Sequence, residues 1–245
     1  MSDGFRKRYG PWCVVAGASE GLGEAFARAL AGRGLNIVLV ARRAHKLEDL
    51  ARQMRADHGI EVRVLAADLS QPSTPRHIMS VVTDLDVGLL VYNAAASSIG
   101  SFLSEPAEVH EQIIRVNVAS ATDMCHGFGS RMAGRRRGGI ILMTSLSAFQ
   151  GSPLIATYAA TKAFLLSLAE ALSFELRDSG VDVLACAAGA TRTPGYLASM
   201  PRKDASFRPT EMEPADVVAE AMSALGRKSV VIPGRRNRLS HLVLT

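Results

Sequence analysis

The sequence predicts a doubly wound α/β fold of about seven parallel strands with helices on both faces. Two observations predict it. Short runs rich in Val, Ile, Leu and Ala lack polar alternation, so they read as strands buried on both faces, as in a parallel sheet. Amphipathic stretches of helical period alternate with these runs from end to end, giving repeated strand–helix units. No Pro-, Ser- or Gly-rich linker interrupts the 245 residues, of which 48% are hydrophobic. One domain spanning 1–245 is expected, with a small substrate lid around 193–212.

The elements follow in order. Strands are predicted over Trp12–Ala16, Leu35–Ala41, Val62–Ala66, Val87–Tyr92, Gly139–Thr144, Val181–Ala188 and Ser229–Ile232. Helices are predicted over Leu22–Ala31, Ala44–Asp57, Thr74–Thr83, Pro106–Met132, Leu154–Asp178 and Pro214–Leu225. Gly32 and Gly34 stop the first helix, and Gly180 stops the long one after Asp178.

Composition narrows the function. Lys and Arg number 28 against 23 Asp and Glu, a net charge of +5 that permits acidic ligands. Aromatics are only 5%, and no groove-reading element accompanies the clusters at Arg131, Arg135–Arg137, Arg235, Arg236 and Arg238. These read as solvated surface charge, and no nucleic acid is expected. Cys13, Cys125 and Cys186 make no paired framework; Cys13 and Cys186 sit in predicted strands as inert core thiols. The six histidines lack metal-ligand spacing, so no metal is expected. No stretch is apolar enough to span a bilayer and the N-terminus is no secretory signal, which points to the cytoplasm.

The first strand runs into Gly17-Ala18-Ser19-Glu20-Gly21-Leu22-Gly23, a G-x-x-x-G-x-G turn that opens a helix. Such a turn lets a dinucleotide's pyrophosphate approach backbone N–H groups at a helix N-terminus. A tight turn without a ligand is the other reading of the same glycines. Gly17-x-Ser19-x-Gly21 also matches a nucleophile elbow, but Ser19 and Ser147 have no histidine base. The second strand ends in Arg42-Arg43 rather than a carboxylate, which suits a 2′-phosphate and favours NADP(H) over NAD(H). Two solvated charges at a helix start are the alternative. Glu20 weighs against a phosphate if it points that way.

Tyr158 and Lys162 stand at i and i+4 on a predicted helix, with Ser145 upstream. One carbonyl oxygen could meet all three groups. The lysine charge is expected to favour the phenolate and make Tyr158 an effective proton donor and acceptor.

With the glycine turn, Ser145, Tyr158 and Lys162 in this order, the chain resembles the short-chain dehydrogenase/reductase family from Trp12 to about Ile232. The segments that carry the resemblance are AGASEGLG from Ala16, YNAA from Tyr92, VNVAS with Asn117, MTSLS, YAATK and AGATRT. The resemblance implies a Rossmann-type fold and a hydride transfer between NADP(H) and a carbonyl or secondary alcohol. It implies Tyr158 as general acid/base and Ser145 on the same substrate oxygen. Lys162 would sit on the nicotinamide ribose and Asn117 on a water relaying protons to Lys162. Thr193 would meet the carboxamide, Asp68 and Leu69 would lie beside the adenine, and Asn93 would steady the sheet. Further cofactor contacts would come from Ala94, Gly189 and Thr191.

Three departures from the family pattern point toward looser cofactor binding: Ala16 in place of threonine, Tyr92 and Ala95 in the NNAG segment, and Ala188 in place of proline. The opening segment is most similar to reductases of the 3-oxoacyl and hydroxysteroid branch. Phe149, Leu154, Tyr196, Leu197 and Met200 suggest an apolar small-molecule substrate, with Arg192 and Arg202 available to a charged one. The two longest predicted helices resemble those that pair subunits in this family, implying a homodimer or homotetramer. The competing function is a non-catalytic NADP-binding regulator or redox sensor on the same fold.

Overall fold

Seven strands form where the seven apolar runs fall: β1 (Trp12–Ala16), β2 (Asn36–Ala41), β3 (Val62–Ala66), β4 (Val87–Tyr92), β5 (Gly138–Ser145), β6 (Val181–Ala188) and β7 (Val230–Val231). They belong to a computed structural model that describes residues 2–199 and 210–244. Every pairing is parallel, in the order β3-β2-β1-β4-β5-β6-β7. The chain builds outward from β1 to β3, then crosses back and adds β4 beside β1. That reversal opens a crevice at the carboxyl ends of β1 and β4, where ligands of such sheets bind.

Helices cover both faces: α1 (Ser2–Tyr9), α2 (Gly21–Ala31), α3 (Ala44–His58), α4 (Thr74–Val81), α5 (Ala107–Ile114), α6 (Ser120–Gly134), α7 (Ala156–Glu175), α8 (Pro194–Ser199), α9 (Pro214–Ala224) and α10 (Arg235–Leu244). Alternate strand residues feed two cores. Cys13, Val15, Ile37 and Leu39 pack with Phe26 of α2, Leu47 of α3 and Val217 of α9. Val14, Val38 and Val40 pack on the other face with Ile78 of α4, Phe128 of α6 and Leu165 of α7. The buried cysteines are core thiols, and burial pushes the Cys125 thiol up to about 12.

The predicted helix Pro106–Met132 is two helices. A π-helical turn, Arg115–Ala119, separates α5 from α6. There the Ser120 N–H bonds the Arg115 carbonyl five residues back, while the Tyr92 hydroxyl donates to the Val116 carbonyl at 2.5 Å. A tertiary hydrogen bond has thus displaced a helical one, and π-bulges of this kind gather at functional sites. The bulky Tyr92 finds its space in this way, fully buried at the end of β4.

Three helices were not expected: α8, inside the expected lid segment, and α1 and α10. Helix α1 lies across the amino ends of the strands: Tyr9 is buried, its hydroxyl donates to Asp182 at 2.6 Å, and Arg8 adds a bond at 2.7 Å. The arginines after α6 are also not merely solvated. Arg137 donates to the Gly10 carbonyl at 2.6 Å and pairs with Asp86, and Arg135 donates to the Val87 carbonyl at 2.6 Å. They staple this same end of the sheet, where strand-start backbone groups would otherwise lack partners.

Asp182→Ala is expected to lower unfolding stability by roughly 1–3 kcal/mol, since Tyr9 and Arg8 lose a charged acceptor. Turnover should stay near wild type, because Asp182 lies near the start of β6 and the crevice lies at the other end. Urea denaturation and initial rates check both halves.

Candidate active site

The glycine turn leaves β1 through Gly17, at φ +81. A Cβ there would come within 2.7 Å of the Ala94 backbone, so glycine lets the turn lie against the segment after β4. Backbone bonds hold it: Gly17 and Ala18 N–H groups donate to the Val40 carbonyl at 2.8 and 3.1 Å. Asn93 Nδ2 donates to the Gly17 carbonyl at 3.0 Å. The turn is therefore fastened to its neighbours without a hydroxyl at position 16. Helix α2 starts at Gly21 with no side-chain cap, leaving first-turn N–H groups open beside the cleft that Gly21 and Leu22 line. That is an anion-accepting cradle, and it fits a dinucleotide pyrophosphate.

The two arginines after β2 separate in role. Arg43 bonds Ser19 Oγ at 2.8 Å and pairs with Glu20 at 2.9 Å, and Lys46 takes the same carboxylate at 2.9 Å. Arg43 first, then Lys46, holds the Glu20 carboxyl below its usual range. Glu20 is thus neutralised rather than aimed at a ligand. Arg42 is exposed at the cleft and has no hydrogen-bond or ion-pair partner among the described residues. Asp68 accepts the Ser70 N–H at 2.9 Å, and Ser120 Oγ holds the Leu69 carbonyl at 2.6 Å.

β5 and α7 assemble the reacting groups. Lys162 is buried, and its Nζ donates to the Met143 carbonyl at 2.8 Å. Thr144 Oγ1 donates to the Lys162 carbonyl at 2.7 Å, completing the seam. The Lys162 ammonium stands 5.4 Å from the Tyr158 ring centre. The phenol nonetheless lies above its usual range, because burial outweighs the opposing influence of the Ser145 hydroxyl. The expected tilt toward phenolate is therefore not what this geometry gives. The lysine itself is desolvated and lowered to about 8, and its proton faces a carbonyl rather than the phenol.

Asn117 is fully buried in the π-helical turn. Its Nδ2 donates to the Ala96 carbonyl and to Thr161 Oγ1, each at 2.9 Å, while its Oδ1 accepts the Ala96 N–H at 2.8 Å. The side chain thus clamps the loop after β4 to α7.

One cleft of about 1140 Å³ gathers Gly17, Ser19, Glu20, Gly21, Leu22, Arg42, Arg43, Asp68, Leu69, Asn93, Ala94, Ser145, Tyr158, Lys162, Gly189, Thr191 and Thr193. Gly23 and Asn117 support it from behind; a Cβ on Gly23 would fall 2.8 Å from Asn93 Nδ2. Thr193 packs over Gly21 and accepts the Tyr196 N–H at 3.2 Å, so α8 starts against the glycine turn. Residues 200–209 of the expected lid, including Met200 and Arg202, lie outside the described residues. Arg192 pairs with Glu211 at 3.2 Å and Glu213 at 3.5 Å.

Sequence reasoning missed several lining residues. Ile99, Val116, Gln150 and Ile155 join the cleft, and α10 brings in Ser240 and His241. The His241 ring lies 4.1 Å from that of Phe149. Asn237 anchors α10, with its side chain against Gly189 and Nδ2 donating to the Pro233 carbonyl at 2.8 Å. No periodicity in this short basic segment announced it.

Comparison with known proteins agrees with this architecture. The family model described as short chain dehydrogenase matches residues 11–202. A 7beta-hydroxysteroid dehydrogenase of Clostridium sardiniense is 36% identical over 234 residues, covering 96% of this chain and 89% of the relative. A very-long-chain 3-oxoacyl-CoA reductase of Pyricularia oryzae is 37% identical over 205 residues, covering 79% of this chain and 62% of the relative. A solved 7beta-hydroxysteroid dehydrogenase superposes with TM-score 0.90 at 35% identity, covering 97% of this chain and 92% of that one. A short-chain dehydrogenase from Sphingobium yanoikuyae in complex with NADPH gives TM-score 0.85 at 31% identity, covering 95% and 92%.

The chain belongs to the short-chain dehydrogenase family, an oxidoreductase class that binds NAD(P) and acts on CH–OH and C=O groups. Among the described residues, no helix is long and apolar enough to cross a membrane.

Lys162 gives the site a pH signature. Its folded value near 8 lies below the ordinary 10.5, so the unfolded chain binds more protons between those values. Stability contributed at this position therefore rises as pH rises through that window. Against Lys162→Met, the wild type should gain on the order of 3 kcal/mol from about pH 8 to 10.5, read by urea denaturation. Parallel curves would contradict the buried ammonium.

Proposed function

We propose that the chain is an NADPH-dependent reductase of apolar ketones, working reversibly on the matching secondary alcohols. The observation that carries the reading is the meeting of Ser145, Tyr158 and Lys162 in the cleft that the glycine turn and Arg42 also line. Bound NADPH would supply the hydride. Tyr158 donates its proton to the substrate oxygen during reduction and takes it back in oxidation. The raised phenol supports the donor role, because a neutral tyrosine holds its proton until the oxygen becomes basic. Ser145 donates a hydrogen bond to the same oxygen and stabilises its growing charge. Lys162 holds the nicotinamide ribose and supplies positive charge near the phenol. Asn117 keeps the loop after β4 in register with α7, and its turn would seat the relay water.

Arg42 would take the 2′-phosphate, supported by its exposure at the cleft without a competing carboxylate. Arg43 is occupied by Glu20. The substrate reading draws on Ile99, Val116, Phe149 and Ile155 among the lining residues, and on the hydroxysteroid dehydrogenases among the relatives. A rigid, bulky alicyclic ketone or alcohol fits both. The segment from Thr193 would close over it, with α8 as its first part. Subunits would pair through α5 and α7, where Phe102, Ile114, Val118 and Ala160 line an apolar hollow of about 410 Å³.

Tyr158→Phe should reduce turnover about 100-fold or more while NADPH titration shows binding retained. A fully active variant would remove Tyr158 from proton transfer. Arg42→Ala should weaken NADPH by about 10-fold or more and leave NADH nearly unchanged, as measured by fluorescence titration. Equal losses would remove Arg42 from phosphate recognition.

A further inference from the structure

Ser147 stands two residues beyond Ser145, on the 3-10 turn Leu146–Phe149 that follows β5. Its backbone N–H donates to Ser145 Oγ at 3.2 Å, and its hydroxyl donates to the same oxygen at 3.0 Å. A serine oxygen has two acceptor lone pairs and one proton to give. With both lone pairs of Ser145 committed to Ser147, its proton is the one capacity left. The backbone at Ser145 is extended, φ −145 and ψ 159, and Ser145, Ser147 and Tyr158 all line the cleft. The remaining proton is therefore free to turn into the cleft that Tyr158 also lines.

We infer that Ser147 is a positioning residue that fixes the polarity of Ser145, making it a donor toward the substrate oxygen. The inference rests on the carbonyl-reductase reading above. A carbonyl oxygen, and the alkoxide formed from it, can only accept. A Ser145 whose proton turned back onto Ser147 would offer that oxygen nothing. Two hydroxyls in series also polarise one another, so the outer bond strengthens as charge develops. Ser145 acts on the Tyr158 phenol in the same sense, opposing burial. Ser147 thus reaches the reaction through Ser145.

The test is a double-mutant cycle on ketone reduction with saturating NADPH. Ser147→Ala should lower kcat about 3- to 10-fold, the size of one modest hydrogen bond, with KM and NADPH affinity within about 2-fold. Ser147→Thr, which keeps the hydroxyl, should recover most of the lost rate. In a Ser145→Ala background, Ser147→Ala should cost nothing more, because the group it acts through is gone. Losses that multiply in the double variant, or an unimpaired Ser147→Ala, would overturn this inference alone. A wild type that binds NADPH but reduces no ketone would overturn the reading of the site and the inference with it.

Discussion

The seam between β5 and α7 is the constraint on which the site depends. A lysine ammonium out of water is costly unless it is hydrogen-bonded. Lys162 meets that demand by donating to the Met143 carbonyl, one strand residue short of Thr144, which in turn bonds the Lys162 carbonyl. Those two bonds fix the rotation of α7 and its height along β5. Once they are made, Tyr158 one turn earlier and Ser145 at the strand end face the same cleft. The same burial lowers the lysine and, acting on a neutral acid, raises the tyrosine.

The remainder of the site is fastened to this seam by a second set of bonds around β4. Tyr92 at its end draws the Val116 carbonyl out of the helix ladder. Asn117, in the π-helical turn that results, grips Ala96 through both ends of its amide and reaches Thr161 on α7. Asn93 meanwhile ties the start of the same loop to Gly17. The nucleotide cradle and the reacting groups are thereby linked through satisfied polar bonds that are buried or partly buried. Such networks are costly to break and hold side chains in one arrangement.

The sheet was legible in the sequence because its strands are buried on both faces, and continuous Val/Ile/Leu runs are the direct mark of that burial. The glycine turn, Ser145, Tyr158 and Lys162 were legible because each lies at the carboxyl end of such a run or on the helix after it. The break in the predicted helix Pro106–Met132 was not, since it is caused by a tyrosine on a distant strand rather than by any local breaker. Helices α1 and α10 are short and basic, and owe their places to Asp182 and to Asn237 against Gly189. Arg135 and Arg137 resembled solvated charge in sequence, yet they close the strand-start end of the sheet. Ser147 was set aside for want of a histidine, though its hydroxyl serves another serine. What escaped the sequence in each case was a hydrogen-bond partner chosen by tertiary structure.

The reaction proposed for this cleft is the reduction of a bulky apolar carbonyl with NADPH. The most direct measurement is NADPH oxidation by the purified protein across hydroxysteroid ketones, acyl thioesters and small ketones, with product alcohols identified by mass spectrometry. Stoichiometric alcohol is expected from the bulky alicyclic ketones. Tight NADPH binding with no carbonyl reduced anywhere in the panel would contradict it.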